Sequence, residues 1–368
     1  MAEAPQSTPR GLRAEQHDSL GRIILDRPKA LNALTLDMVQ DLERTLLAWL
    51  SKPLTAVTIE SSDTRAFCSG GDIRTVRQHT LGNQQQLSRQ FFATEYRVNA
   101  LLADYPHPVV SLIDGICMGG GMGLSMHGPF RVMTEAALLA MPETAIGFFP
   151  DVGATHFLPR LPGASGMYLG LTGARLKAAD ALSLGLATHF CASARLPEIP
   201  DLLRRRGRHS VDEVLNSICS APPGDAVLAT HRPAIDHVFS AGTLEAIHQR
   251  LRETEDPWLK DHATTLDRMC PQSLALTFHL ISRGRERNLA ACLTAELRAA
   301  LYATNTTDFL EGVRAALVDK DRSPRWAGTS AFLGVDEHGL PQWDPALNVP
   351  PTAATADPWL SAAPSATS

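Results

Sequence analysis

Between residues 20 and 190, short apolar and β-branched runs alternate with longer segments whose apolar residues recur at helical spacing. This alternation restricts the chain to an α/β architecture, because strands joined through helices pair in parallel and the helices cover the sheet. Residues 20–25 read as a strand that Arg27-Pro28 ends, since proline fixes φ and has no amide to donate. Residues 36–50 then carry the period of a helix, 55–60 that of a buried strand and 84–103 a helix again. Strands are expected at 108–113 and 130–134, with a short apolar one at 137–141.

The chain has 368 residues. That length suits one large core with a helical appendage, or two modest domains. Residues 1–17 are rich in Ala, Pro, Ser and Arg and are expected to be flexible, with the core over 18–195. Residues 196–344 are expected to be a helical region that completes the fold. Within it Asn288 is a candidate N-cap for a helix with Leu289, Leu293, Leu297 and Leu301 on one stripe. The Pro/Ala/Ser/Thr-rich stretch 345–368 is expected to be disordered.

A net charge of -5 leaves no surplus of Lys and Arg for a nucleic-acid footprint. No apolar run reaches the ~18 residues of a membrane span. Six dispersed cysteines without a CxxC pair suggest free thiols in a reducing compartment. The first twenty residues lack the apolar region of a secretory signal and mix Glu3, Glu15 and Asp18 with Arg10 and Arg13. The expected location is a bacterial cytoplasm rather than a mitochondrial matrix.

Two glycine loops, Gly70-Gly71 and Gly119-Gly120-Gly121, each follow an apolar strand and precede a helix. Glycine permits close approach to the backbone, and the amides that open a helix lack acceptors. Two such amides aimed at one point form an oxyanion hole, for which Gly71 and Gly120 are the candidates. Taken singly, either loop is also read as a tight turn. Neither matches G-x-G-x-x-G, and no Walker lysine follows. Ser125 lacks the G-x-S-x-G frame of a serine hydrolase, and His107, His127 and His156 lack metal-binding spacing. Glu143 and Asp151 lie among apolar residues, where desolvation raises a carboxyl's pKa toward that of a base or nucleophile. A cap or a loop hydrogen bond is the plainer reading of either alone.

Three segments resemble signatures of the enoyl-CoA hydratase/isomerase (crotonase) superfamily. They are Arg27-Pro28-Lys29-Ala30-Leu31-Asn32-Ala33, Phe67-Cys68-Ser69-Gly70-Gly71-Asp72-Ile73 and Gly115-Ile116-Cys117-Met118-Gly119-Gly120-Gly121. Residues 141–160 and 308–326 are similar to its 3-hydroxyisobutyryl-CoA hydrolase branch. The resemblance implies a crotonase-like fold of repeated ββα units, an acyl-CoA substrate, no separate cofactor, no metal, and packing as a trimer or hexamer. It implies that the thioester oxygen lies between the amides of Gly71 and Gly120. It also implies that Lys29, Ala30 and Leu31 hold the CoA adenine and phosphates, and that Glu95 lines the substrate. Hydratases of the superfamily use two glutamates twenty residues apart. Glu143 matches the later one, and Gly123 stands at the earlier. Since glycine cannot orient water, the expected reaction is thioester hydrolysis of a short branched 3-hydroxyacyl-CoA such as 3-hydroxyisobutyryl-CoA, a step of valine breakdown. Glu143 would act as nucleophile or general base, with Asp151 orienting the 3-hydroxyl or the water. The alternatives are an enoyl-CoA hydratase or isomerase using Glu143 with Asp151, and an acyl-CoA-binding protein without catalysis.

Overall fold

The computed structural model describes residues 11–207, 209–327, 332–335 and 341–343. Its strands are β1 (Leu12–His17), β2 (Leu20–Leu25), β3 (Ala56–Ser61), β4 (Ala66–Cys68), β5 (Val109–Ile113), β6 (Ile116–Met118), β7 (Phe130–Met133), β8 (Leu138–Ala140) and β9 (His189–Phe190), with β10 (Phe332–Val335) and β11 (Pro341–Trp343) paired as a separate antiparallel sheet. The first helices are α1 (Leu36–Trp49), α2 (Ile73–Leu81), α3 (Gln85–Ala103), α4 (Gly120–Met126), α5 (Ala154–Phe157), α6 (Ser165–Thr172) and α7 (Ala178–Ser183). Beyond them come α8 (Ile199–Arg205), α9 (Val211–Ile218), α10 (Val227–Phe239), α11 (Leu244–Glu253), α12 (Pro257–Arg268), α13 (Pro271–Gly284), α14 (Leu289–Ala303) and α15 (Thr307–Val313).

Successive strand pairs divide between two sheets. One has the order β1-β2-β3-β5-β7-β9 and the other β4-β6-β8. Each of the pairs β3/β4, β5/β6 and β7/β8 therefore gives one strand to each sheet, which is the ββα repetition expected. All pairings in the larger sheet are parallel except β1 with β2. The expectation that residues 1–17 are flexible fails for Leu12–His17, which pairs with β2 from Leu12↔Leu25 to His17↔Leu20. Only Leu12 of its side chains packs on the core and most of the rest are exposed, so this edge strand, held chiefly by its backbone bonds, gives no apolar alternation.

β5 shows why the core strands read as nearly continuous apolar runs. Val109 and Ile113 join the main hydrophobic cluster, while Val110 and Leu112 join a second one with Ile199, Leu203, Val214 and Leu215 of α8 and α9. A parallel strand covered on both faces favours apolar residues throughout, and of the five buried residues of β5 only Ser111 is polar. The expected cap Asn288 accepts from Ala291 N at 2.9 Å, and Leu293 and Leu297 of its stripe are buried. The expected tail 345–368 lies outside the described residues. Among the described residues no helix is long and apolar enough to cross a membrane.

Candidate active site

Both glycine loops open where the strands of the smaller sheet end. Gly70 has φ 103°, and a Cβ there would stand 3.2 Å from the Met118 carbonyl oxygen, so conformation and space both demand glycine. Gly71 forms a parallel bridge with Leu34. Its neighbours make the bonds: Leu34 N–H donates to Gly70 O at 2.8 Å, and Asp72 N–H to Leu34 O at 2.8 Å. In such a bridge the middle residue's own amide points away from the partner strand, and Gly71 lines the large cavity. Gly119, with φ 47° and ψ -117°, caps α4, and Gly120 is its first residue. A first-turn amide has no acceptor inside its helix. The two loops touch, since a Cβ on Gly120 would lie 3.3 Å from Gly71 N.

Three buried acids, Glu95, Glu143 and Asp151, face the same cavity, whose volume is about 1260 Å³. Glu143 opens a short 3-10 turn after β8, and its Oε1 stands 2.8 Å from the place a Cβ on Gly119 would occupy. Glu95, on α3, lies so close to Gly120 that a Cβ there would collide with its Oε1. Asp151 follows Phe149-Pro150 and accepts from the Tyr96 hydroxyl at 2.7 Å. All three are buried, and Glu95 Oε1 and Glu143 Oε2 have no hydrogen-bond partner. Burial, and then the nearby Asp151 charge, push Glu95 and Glu143 well above the usual carboxylate range. Burial raises Asp151 to about 7, against the Tyr96 hydrogen bond that holds it down.

The backbone after Asp151 is strained. Val152 has φ 54°, and Gly153 φ 83°. A β-branched residue in the left-handed region costs on the order of 1–3 kcal/mol and persists only where its surroundings impose it. Two side chains grip this turn. His127, just past α4, donates Nε2–H to Val152 O at 2.8 Å. Glu296, from α14, accepts from Gly153 N at 2.7 Å, Thr155 N at 3.0 Å and Thr155 Oγ1 at 2.6 Å. Burial lowers His127 to about 4, so its ring is neutral, and raises Glu296 to about 8. Sequence reading missed Tyr96 and Glu296, and took His127 as isolated. A tyrosine beside Glu95 and a glutamate inside a leucine stripe carry no local sign of what they will face.

Gly123, where a hydratase would place its earlier glutamate, has no room for one. A Cβ there would stand 2.7 Å from Val152 Cβ and 2.9 Å from Asn99 Nδ2. Gly123 does not line the cavity, whereas Phe92 and Phe148, stacked at 5.6 Å, do. Phe149 stacks on Phe148 at 4.7 Å without being part of the lining.

Lys29, Ala30 and Leu31 line the outer part of this cavity. Asn32 shapes their loop: its side chain accepts from Arg27 N at 2.8 Å and donates to the Ala66 and Phe67 carbonyls, both at 3.1 Å. Lys29, Arg74, Arg175, Arg268, Lys320 and Arg322 are exposed cations on the lining. The last two come from the segment after α15 and were not singled out from the sequence. Ser125 donates to Gly121 O at 2.9 Å within its own helix, and His107 to Trp49 O at 3.2 Å. Among the described residues no group of three His, Cys, Asp or Glu is placed to hold a metal ion.

Comparison with known proteins decides the ancestry of this arrangement. The sequence model of the enoyl-CoA hydratase/isomerase family matches residues 20–336, most of the chain. The chain belongs to the enoyl-CoA hydratase/isomerase family. It is 44% identical over 332 residues to the mitochondrial 3-hydroxyisobutyryl-CoA hydrolase of Danio rerio, covering 88% of this chain and 86% of that one. With the mitochondrial enzyme of the same name from Homo sapiens it shares 40% over 320 residues, 85% and 83% of the two chains. The crystal structure of an enoyl-CoA hydratase from Rhodobacter sphaeroides 2.4.1 superposes with a TM-score of 0.80 at 39% identity, covering 87% of this chain and 93% of that one. A carnitinyl-CoA dehydratase from Mycobacterium thermoresistibile gives 0.81 at 34%, over 86% and 91%. The fold is thus the crotonase fold. The expected bacterial cytoplasm is corrected by the mitochondrial relatives of this family member. The expectation rested partly on the acidic residues Glu3, Glu15 and Asp18, but Glu15 belongs to β1 of the folded sheet, so its charge does not bear on targeting.

Proposed function

We propose that this chain hydrolyses the thioester of a short branched 3-hydroxyacyl-CoA, 3-hydroxyisobutyryl-CoA above all, to the 3-hydroxy acid and CoA. One observation carries the reading: the buried Glu143 carboxyl lies against Gly119, and Gly71 and Gly120 line the same cavity with their loops in contact. The names of the Danio rerio and Homo sapiens relatives support it, as does the lack of space for a second glutamate at Gly123.

In this reading the thioester oxygen takes hydrogen bonds from both amides as the carbonyl carbon is attacked. Each donor is worth about 10²–10³ in rate, because it needs no reorganisation when charge develops. Glu143 ionises reluctantly in its dry site, which makes its carboxylate a stronger base and nucleophile than one in water. By one route its oxygen bonds to the carbonyl carbon, the C–S bond breaks, CoA departs as thiolate, and water then cleaves the mixed anhydride. By the other it takes a proton from water as the water oxygen attacks, and the same C–S bond breaks. Asp151 and Glu95 hold the 3-hydroxyl or the water. No separate cofactor takes part, since CoA belongs to the substrate. Lys29, Ala30 and Leu31 receive the adenine and phosphates, and the cationic rim draws the phosphates in. The same reading includes a homo-oligomer, a trimer or hexamer, which light scattering tests.

Glu143→Gln is expected to stop thiol release while substrate binding persists, measured by a thiol reagent and by calorimetry. Release at the original rate refutes the assignment. The hydratase and dehydratase among the solved relatives favour a second reading, addition of water to an enoyl-CoA. Loss of enoyl absorbance from crotonyl-CoA without thiol release would establish it.

A further inference from the structure

Glu296 is buried completely, carries three hydrogen bonds and has no part in the chemistry proposed above. It sits on α14, about 140 residues after the turn it holds, a separation of 143 between Gly153 and Glu296. All three of its donors belong to Gly153 and Thr155, the two ends of the step from the strained turn into α5. The turn is contacted from three sides. Tyr96 of α3 holds the Asp151 carboxyl, His127 past α4 holds the Val152 carbonyl, and Glu296 holds the amides that follow.

The grip has a definite purpose in backbone terms. Released from it, Val152 would leave φ 54° for an extended or right-handed conformation, which a β-branched residue prefers. Rotation at residue 152 swings the preceding peptide and the Asp151 side chain away from Tyr96 and the cavity. A carbonyl held by His127 does not prevent this alone, because the chain pivots about that point. The amides of Gly153 and Thr155 fix the far side of the pivot.

We infer that Glu296 is a positioning residue, which holds Val152 in its strained conformation and thereby keeps the Asp151 carboxyl aimed into the site. This inference rests on the reading of Asp151 as a group that touches the substrate. Glu296→Gln nearly preserves size but turns an NH₂ toward donors, so at least one of the three hydrogen bonds is lost. Displacements of about 1 Å at a reacting group cost on the order of 10²-fold in rate. In the full-length enzyme Glu296→Gln is expected to lower kcat by roughly 10-fold to 10²-fold, with KM within about twofold.

A general loss of stability is separated from positioning by relieving the strain. Glycine adopts a positive φ without penalty, so Val152→Gly placed on Glu296→Gln is expected to recover most of the lost kcat. Wild-type kcat in Glu296→Gln overturns the inference, and so does a double variant no faster than Glu296→Gln alone. Should Glu296→Gln fail to fold, Thr155→Val removes one donor and leaves the carboxylate. A several-fold fall in its kcat at constant KM supports the inference, and an unchanged kcat overturns it. Asp151→Asn, assayed in parallel, separates the two levels. Full activity there sinks the reading of Asp151 itself, whereas an inactive Asp151→Asn beside a fully active Glu296→Gln sinks only the role of Glu296.

Discussion

Asp151→Asn is expected to make the protein more stable above neutral pH while depriving it of activity. The native carboxyl is buried and raised from the ordinary 3.8 to about 7, with desolvation the largest cause. Its proton is therefore held more tightly in the folded state than in the unfolded one. Below about pH 4 both states are protonated and the group costs nothing. Between about pH 4 and 7 only the unfolded chain releases the proton, so stability falls as pH rises. At about 1.36 kcal/mol for each tenfold change in proton affinity, the full loss by pH 8 is ~4 kcal/mol. Asparagine has the same shape, never ionises, and its amide oxygen still accepts from the Tyr96 hydroxyl. The charge-assisted strength of the native Tyr96 hydrogen bond is already contained in the native value of about 7. The gain is therefore roughly 4 kcal/mol at pH 8, and little or none at pH 4. Urea unfolding of both proteins at the two pH values measures it. Glu95, Glu143 and Glu296 are raised first by burial and further by the Asp151 charge, so its removal eases their ionisation and adds to the gain at pH 8. A variant no more stable relative to wild type at pH 8 than at pH 4 would refute the reasoning.

Gly120→Ala is expected to lower kcat by about 10²–10³, because its Cβ meets Glu95 Oε1 and displaces the amide; steady-state thiol release with a parallel melting curve checks this. Gly123→Glu is expected to destabilise the fold by more than about 3 kcal/mol without creating hydratase activity, since the new side chain meets Val152 and Asn99. Thermal unfolding and crotonyl-CoA absorbance test the two halves separately. Raising ionic strength toward about 1 M, where screening acts within ~3 Å, is expected to raise KM for acyl-CoA with kcat unchanged. Lys29→Ala should flatten that salt dependence, and an unaltered slope would remove Lys29 from phosphate binding.

Much of the site was legible because its requirements are local. Gly70 and Gly119 have backbone angles that mark them as glycines in any context, and the apolar segments around Glu143 and Asp151 announce burial. Phe92 and Phe148 on the cavity wall were legible only as large apolar residues, since Phe149 has the same composition of neighbours and faces elsewhere. Leu12–His17 was illegible for the opposite reason, as an edge strand bonded through its backbone leaves no pattern in its side chains.

Read alone, the amino-acid order determined the succession of strands and helices and the two glycine loops. Each follows from φ preference, side-chain period or residue identity, none of which needs a distant partner. Tertiary structure alone decided that Tyr96, His127 and Glu296 converge on one strained turn. It also decided that four carboxyls share a dry interior that raises their proton affinity above the usual carboxylate range. Proton affinity depends on the medium around a group, and that medium is assembled from residues as far apart as α3 and α14.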